Sequence, residues 1–454
     1  MSATRDDAVT RPEPSRSYRW LVLFFISLAM FGNYYIYDSI NPLEGILKEQ
    51  LGFSSGNFGW LNTSYSVAAL VTLLLGGYLI DRIGLRKSIM IFSALCLIGA
   101  ALTAYKGSFA TIVAGRAVLG LGAESMIVAI TTALAKWFKG KELSFAFGLN
   151  LTIARLGSVA ADRSPGWAHF AFFPNGDNAP PSWQGPLNIA IAAGVICVFA
   201  ALVYWILEKN AENKYYLGSA GSVDRLDVKG GFSFSYSYWL VVGLCFTFYS
   251  AIFPFRQFAI DLFSSKLLAT GAAATEAIAL KQGGDLNSLL PFSAMIATPL
   301  FGLLVDRVGR RATLMLFGSL LLIPAFLSIA YTNANLYLPV ALLGIAFSLI
   351  PAAMWPSVAY IVEERRLGTA YALMTLIQQI GMAALPLLIG WSKDYAHAGM
   401  TNVEGYRLML WILSSLGILG FVFALLLKKR ESGPHAHGLE TITTLSATKG
   451  EAPA

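Results

Sequence analysis

The chain has 454 residues, of which 56% are hydrophobic and only 13% charged, with a formal net charge of +7. A soluble protein carries about a quarter charged residues, and here the apolar residues fall in blocks of about twenty, the length that crosses a bilayer. Composition therefore excludes a soluble core and implies an all-α membrane protein, whose basic residues lie in the loops between blocks and mark membrane asymmetry rather than nucleic-acid binding.

Twelve spans are predicted, at 20–41, 57–80, 88–105, 109–135, 142–163, 187–207, 238–261, 288–305, 312–331, 335–360, 368–391 and 405–428. A polar tail, 1–19, precedes them, with no cleavable signal pattern. The tail, the even-numbered loops and the stop at Lys428-Lys429-Arg430 hold 22 lysines and arginines, and the odd-numbered loops hold 7. That bias places both termini in the cytoplasm.

Span 1 carries Asn33, Tyr34, Tyr37 and Asp38 at i, i+1, i+4 and i+5, on one helix face. Asp38 lies roughly 27 Å along the span from Trp20, near its outer end, and Pro42 ends the helix. Two readings stay open there: a vestibule or gate for cationic groups, and an interfacial aromatic belt with a snorkelling acid.

After span 2 comes Gly77-Tyr78-Leu79-Ile80-Asp81-Arg82-Ile83-Gly84-Leu85-Arg86-Lys87. After span 8 the same pattern returns as Gly302, Asp306, Arg307, Gly309 and Arg311, each displaced by 225 residues, with Arg310 standing at the position of Leu85. Repeated halves are a transporter feature, with substrate held near midplane. The halves are expected as bundles at 20–207 and 238–428, joined by a polar linker at 208–237 and followed by a disordered tail at 429–454.

Spans 4 and 5 each hold a charge, Glu124 and Arg155, roughly 18–21 Å from the basic break Lys136–Lys141 and so at similar depth in a core about 30 Å thick. A charge at that depth faces a cavity or a partner. The pair is either a permanent internal ion pair or a split clamp for a zwitterion. In the second reading Glu124 takes an ammonium and Arg155 forks onto a carboxylate. Arg116, two turns before Glu124, either biases that acid and lines the path or balances charge in the packing.

The second half is quieter. The positions 225 residues after Glu124 and Arg155 are Leu349 and Ile380, so the charges are not duplicated. Trp355, Tyr360, Gln378 and Gln379 are the uncharged candidates for ligand contact, although another helix would satisfy the glutamines as well. Phe253-Pro254-Phe255 reads as a break or flexible gate in span 7, with Arg256 and Asp261 interfacial. No nucleophile–base arrangement, nucleotide loop or metal-ligand cluster is present, so neither an enzyme nor a cofactor is expected.

The G-x-x-x-D-R-x-G-x-[RK]-[RK] string after span 2, repeated after span 8 as far as Arg311, resembles the signature of the major facilitator superfamily. The resemblance implies twelve transmembrane helices in two six-helix bundles. It also implies that Asp81 and Asp306 pair with neighbouring basic residues, Arg82 and Arg86, Arg307 and Arg310, to latch the cytoplasmic side. A narrower resemblance, to the lysosomal dipeptide transporter family within it, rests on Gly122-Ala123-Glu124-Ser125, Trp137–Leu143, Ala154–Ser158, Tyr34…Tyr37-Asp38, Phe253–Phe255, Trp355–Tyr360 and Leu367–Tyr371. It implies that Glu124 and Arg155 hold the two ends of a dipeptide, cationic ones preferred, in uniport.

The expected function is thus dipeptide transport by alternating access. Proton-coupled transport of another small charged solute, such as an organic acid, is the alternative, and a non-transporting receptor a third. A monomer in the lipid bilayer is expected, with no accessory subunit implied. Residues 1–19 contain no leucine for a dileucine signal, and Asn62 and Asn150, in the only N-x-[ST] strings, fall inside spans. These features point to a plasma (inner) membrane rather than a lysosomal one.

Overall fold

The structure is a computed structural model that describes residues 12–138, 142–177, 179–215, 233–332 and 335–443, without the side chains of 74–78, Asp81 and Ser144. Among the described residues there are twelve helices of 20 residues or more, matching the predicted spans. They are α1 (Arg16–Asp38), α2 (Ser55–Ile83), α3 (Leu85–Tyr105), α4 (Phe109–Phe138), α5 (Leu143–Asp162) and α6 (Gln184–Lys214), then α7 (Tyr236–Ala269), α8 (Glu276–Val308), α9 (Arg311–Tyr331), α10 (Tyr337–Ile361), α11 (Leu367–Tyr395) and α12 (Tyr406–Glu431). On the described residues alone, ten of them meet the length and hydropathy of a membrane span.

Helix starts follow local chemistry. Ser15, Ser235 and Thr275 each accept a hydrogen bond from the amide three residues on, opening α1, α7 and α8. The repeated glycines of the two sequence copies have a backbone reason. Gly84 between α2 and α3 has φ +85°, and Gly309 between α8 and α9 has φ +75°. Glycine adopts this region at least cost.

The chain divides into two compact units, one of residues 1–39, 64–161 and 184–223, the other of 40–63, 162–183 and 224–454. In the first, helices meet backbone to backbone at small residues. A methyl group at Gly32 would lie 2.7 Å from the Ala193 carbonyl oxygen, and Gly157 and Gly120 have no room against the Phe31 and Tyr65 carbonyls. Around these crossings Val22, Ile26, Met30, Met126, Ala133 and Tyr204 form a continuous core.

At the even-loop end of this unit, α6 continues past the predicted boundary at 207, through Lys214. Glu208 and Glu212 explain the extension. Lys136 pairs with both, the Trp137 indole donates to Glu208 at 2.5 Å, and Arg86 pairs with Glu212 at 2.9 Å. Residues 216–232 of the expected linker lie outside the described residues.

In the second unit, α7 to α12 pack with the segments 40–63 and 162–183 at the odd-loop end. Arg256 and Asp261, expected at the interface, are instead drawn into polar clusters. Arg256 is buried and pairs with Asp162 at 2.9 Å, while the Asn41 and Asn287 amides donate to the other Asp162 oxygen at 3.3 and 3.0 Å. Lys393, 0% exposed, donates to Glu44 at 2.6 Å and to Asp261 at 2.8 Å, and the Tyr406 hydroxyl donates to Asp261 at 2.6 Å. Partners from other segments give these charges the interior pairing that a lone interfacial residue lacks. Segments from the first half of the chain are thereby bonded to helices of the second half.

The expected break at Pro254 is also corrected, since α7 runs through it from Tyr236 to Ala269. Its flanks, Ile252 and Phe255 among them, are buried, and packing holds the helix across the missing hydrogen bond.

The tail differs as well. It was expected to be disordered from 429, yet α12 reaches Glu431 and residues up to 443 dock against α9. The Glu440 carboxylate accepts from the Thr313 amide and hydroxyl, both at 2.7 Å, at the helix end whose amides lack partners. Arg311 donates its backbone amide to Leu439 and its guanidinium to the Ile442 carbonyl, both at 2.7 Å, and Leu439 is fully buried. Residues 444–454 lie outside the described residues.

Candidate substrate site and signature motifs

In the first unit the charged candidates gather around α1, which packs against both α4 and α5. The Asn33 amide of α1 donates to the Ala123 carbonyl of α4 at 3.4 Å, and Gly157 of α5 lies against the α1 backbone at Phe31. Glu124 and Arg155 are both half-buried. Glu124 accepts a hydrogen bond from the Tyr65 hydroxyl at 3.1 Å, and the Arg155 guanidinium sits 5.9 Å from the centre of the Tyr34 ring. A cation over a tyrosine face is stabilised by the ring quadrupole.

Tyr37, Arg116 and Tyr65 form a block beside Glu124. The Tyr37 and Tyr65 rings lie 4.6 Å apart, and the Arg116 guanidinium is 5.4 Å from each. Arg116 is buried and donates to the Tyr37 carbonyl at 3.0 Å. Asp38 is 1% exposed, so it lies inside the packing rather than at an open vestibule.

In the second unit, Trp355 stands in an aromatic group. Its indole donates to the Tyr249 hydroxyl at 2.9 Å, and it stacks on Tyr371 at 6.0 Å. Gln378 is half-buried, accepting from the Cys245 thiol at 3.7 Å and reaching the Met382 sulfur at 3.6 Å. Tyr360 is set apart from this group. The Arg311 guanidinium lies 4.3 Å from its ring and donates to its hydroxyl at 3.1 Å.

The same arginine changes the reading of the second motif copy. Asp306 is paired at 3.4 Å with Arg311, where the sequence pointed to Arg307 and Arg310, both of which are exposed. Arg311 opens α9 and its side chain folds back over the turn, whereas Arg307 continues along α8. Gly302 borders open space. In the first copy Arg82 is exposed and Arg86 reaches Glu212, while Gly77 lies within α2 and the Asp81 side chain is outside what the structure describes.

A separate cavity of about 440 Å³ opens at the odd-loop end of the second unit, lined among others by Lys48, Glu49, Asp261 and Glu276. No group of three or more metal-ligating side chains occurs among the described residues.

Sequence reasoning missed Tyr65 and Tyr249. Tyr65 lies in a polar run inside a span, Asn62-Thr63-Ser64-Tyr65-Ser66, and that run was the available signal. Tyr249 offered none beyond its place in span 7.

Twelve apolar helices with paired motif copies and opposite charges sunk in the spans define an integral multi-pass transporter of a small molecule rather than an enzyme. The sequence profile of the Major Facilitator Superfamily matches residues 23–280 and 258–449, and the chain belongs to that superfamily. It is 36% identical over 386 residues to the zebrafish (Danio rerio) lysosomal dipeptide transporter MFSD1, covering 83% of this chain and 81% of that protein. With the Homo sapiens protein of the same name it shares 32% identity over 432 residues, 93% of this chain and 89% of the relative. Among solved structures, the nucleoside transporter NupG superposes with a TM-score of 0.71 at 14% identity, over 90% of this chain and 99% of NupG, a likeness of fold alone.

Proposed function

We infer that the protein carries dipeptides across its membrane by alternating access, as a uniporter, with both termini in the cytoplasm. The observation that carries the reading is the state of Glu124 and Arg155. Opposite charges on two spans are half-buried and each is held by a tyrosine, Tyr65 or Tyr34. A peptide zwitterion presents an ammonium and a carboxylate, which an acid and a guanidinium complement. The likeness to transporters named for dipeptides supports the same cargo. Tyr34 offers an aromatic wall beside the carboxylate end.

The test is a thermal-shift screen of the purified protein against dipeptides, free amino acids and organic-acid anions. Dipeptides should stabilise the wild type, and Glu124→Gln and Arg155→Ala should each abolish the shift. Retention of the response in both variants refutes the clamp. Counterflow that requires a pH gradient would overturn uniport in favour of proton coupling.

A further inference from the structure

We propose that Tyr65 is a positioning residue for substrate, orienting the Glu124 carboxylate toward the free ammonium end of a peptide. The inference rests on the reading of Glu124 given above and adds how that acid is aimed. Glutamate has three rotatable side-chain bonds, so a half-buried carboxylate needs a partner to hold one direction. Tyr65 supplies it through the 3.1 Å hydrogen bond to Oε1. A carboxylate has about four acceptor positions, so that bond leaves capacity for an ammonium.

The tyrosine is itself fixed from two sides. Its backbone lies directly against Gly120, where any side chain would collide with the Tyr65 carbonyl. Gly120 and Glu124 are four residues apart, hence on one face of α4. The crossing of α2 over α4 therefore sits one turn from the acid and delivers the hydroxyl to it. On its other side the Tyr65 ring meets Tyr37 at 4.6 Å and the Arg116 guanidinium at 5.4 Å. Ring and backbone are both clamped, and the hydroxyl is left to set the carboxylate.

Tyr65→Phe removes the hydroxyl and keeps the ring packing. Binding of the cationic dipeptide Lys-Ala is measured on the wild type, Tyr65→Phe, Glu124→Asp and the double variant, with the unliganded melting temperature as a folding control. One hydrogen bond to a charged group corresponds to roughly tenfold in affinity. Tyr65→Phe should weaken Lys-Ala by about that factor in the wild-type background. In the Glu124→Asp background, where the shortened acid no longer reaches the hydroxyl, it should weaken binding by less than about twofold.

An equal loss in both backgrounds would mean that Tyr65 acts through packing, and the proposal fails. Unchanged affinity in Tyr65→Phe overturns it too. If Glu124→Gln abolishes binding while Tyr65→Phe is silent, only the role of Tyr65 is lost. If Glu124→Gln is silent, the reading of the site falls and this inference with it.

Discussion

Replacing Lys393 with methionine tests the charge cluster that bonds the segment 40–63 to α7 and α11 at the odd-loop end. Its ammonium is fully buried between Glu44 at 2.6 Å and Asp261 at 2.8 Å, and Lys48 stands farther off, at 3.3 and 3.8 Å from the same two acids. The intact cluster balances two positive charges against two negative ones. Lys393→Met leaves two carboxylates facing a single partly exposed lysine. Removing one partner of a buried pair costs about 3–5 kcal/mol, because the other charge stays desolvated. At roughly 2.1 cal/mol/K of unfolding entropy per residue, a chain of this length has about 1 kcal/mol/K, so the melting temperature should fall by roughly 3–5 °C. A second replacement, Glu44→Gln, restores one charge of each sign, with Asp261 still held by Lys48 and Tyr406. The double variant should recover more than half of the loss. Intrinsic-fluorescence melting in detergent, without ligand, reads both. A single variant as stable as the wild type, or a double variant less stable than the single one, refutes the view that unbalanced charge is what matters there.

Other consequences follow from separate parts of the molecule. Asp162→Asn keeps the shape of the second cluster but strips the counter-charge from the buried Arg256; it should destabilise the protein by about 3 kcal/mol, read in the same melting assay. Glu440→Ala removes the acceptor of the Thr313 amide and hydroxyl. A loss of about 1–2 kcal/mol, the usual worth of a helix cap, should appear as faster hydrogen exchange at the start of α9, and unchanged exchange there would discount the docked tail. Gly390→Ala drives a methyl group into the Ser55 carbonyl, whereas Gly148→Ala meets nothing within 4 Å. The first should lower the melting temperature by several degrees and the second should leave it level.

What could be read from the sequence was what a residue demands of its own surroundings. Gly84 and Gly309 were conspicuous as a repeat, and their positive φ values show a demand made by the backbone at each turn. Glu124 and Arg155 stood out because a charge within a span is costly wherever its helix goes. The partners of those groups were not legible, since they depend on how helices cross. Tyr65 reaches Glu124 because α2 lies against Gly120, a contact 55 residues apart in the chain that hydrophobic periodicity along either helix does not encode. Arg256 looked interfacial because depth was counted along its own span; Asp162 and Asn41 arrive from segments far away in sequence. The tail looked disordered because its composition is polar. Yet an unfilled helix start needs only an acceptor for its amides, and Glu440 supplies one while Leu439 provides a buried side chain beside it. The same physics that makes a lone charge in a span easy to notice makes its partner hard to find. The cost is local, and the remedy comes from wherever the fold can bring an opposite charge or a hydroxyl.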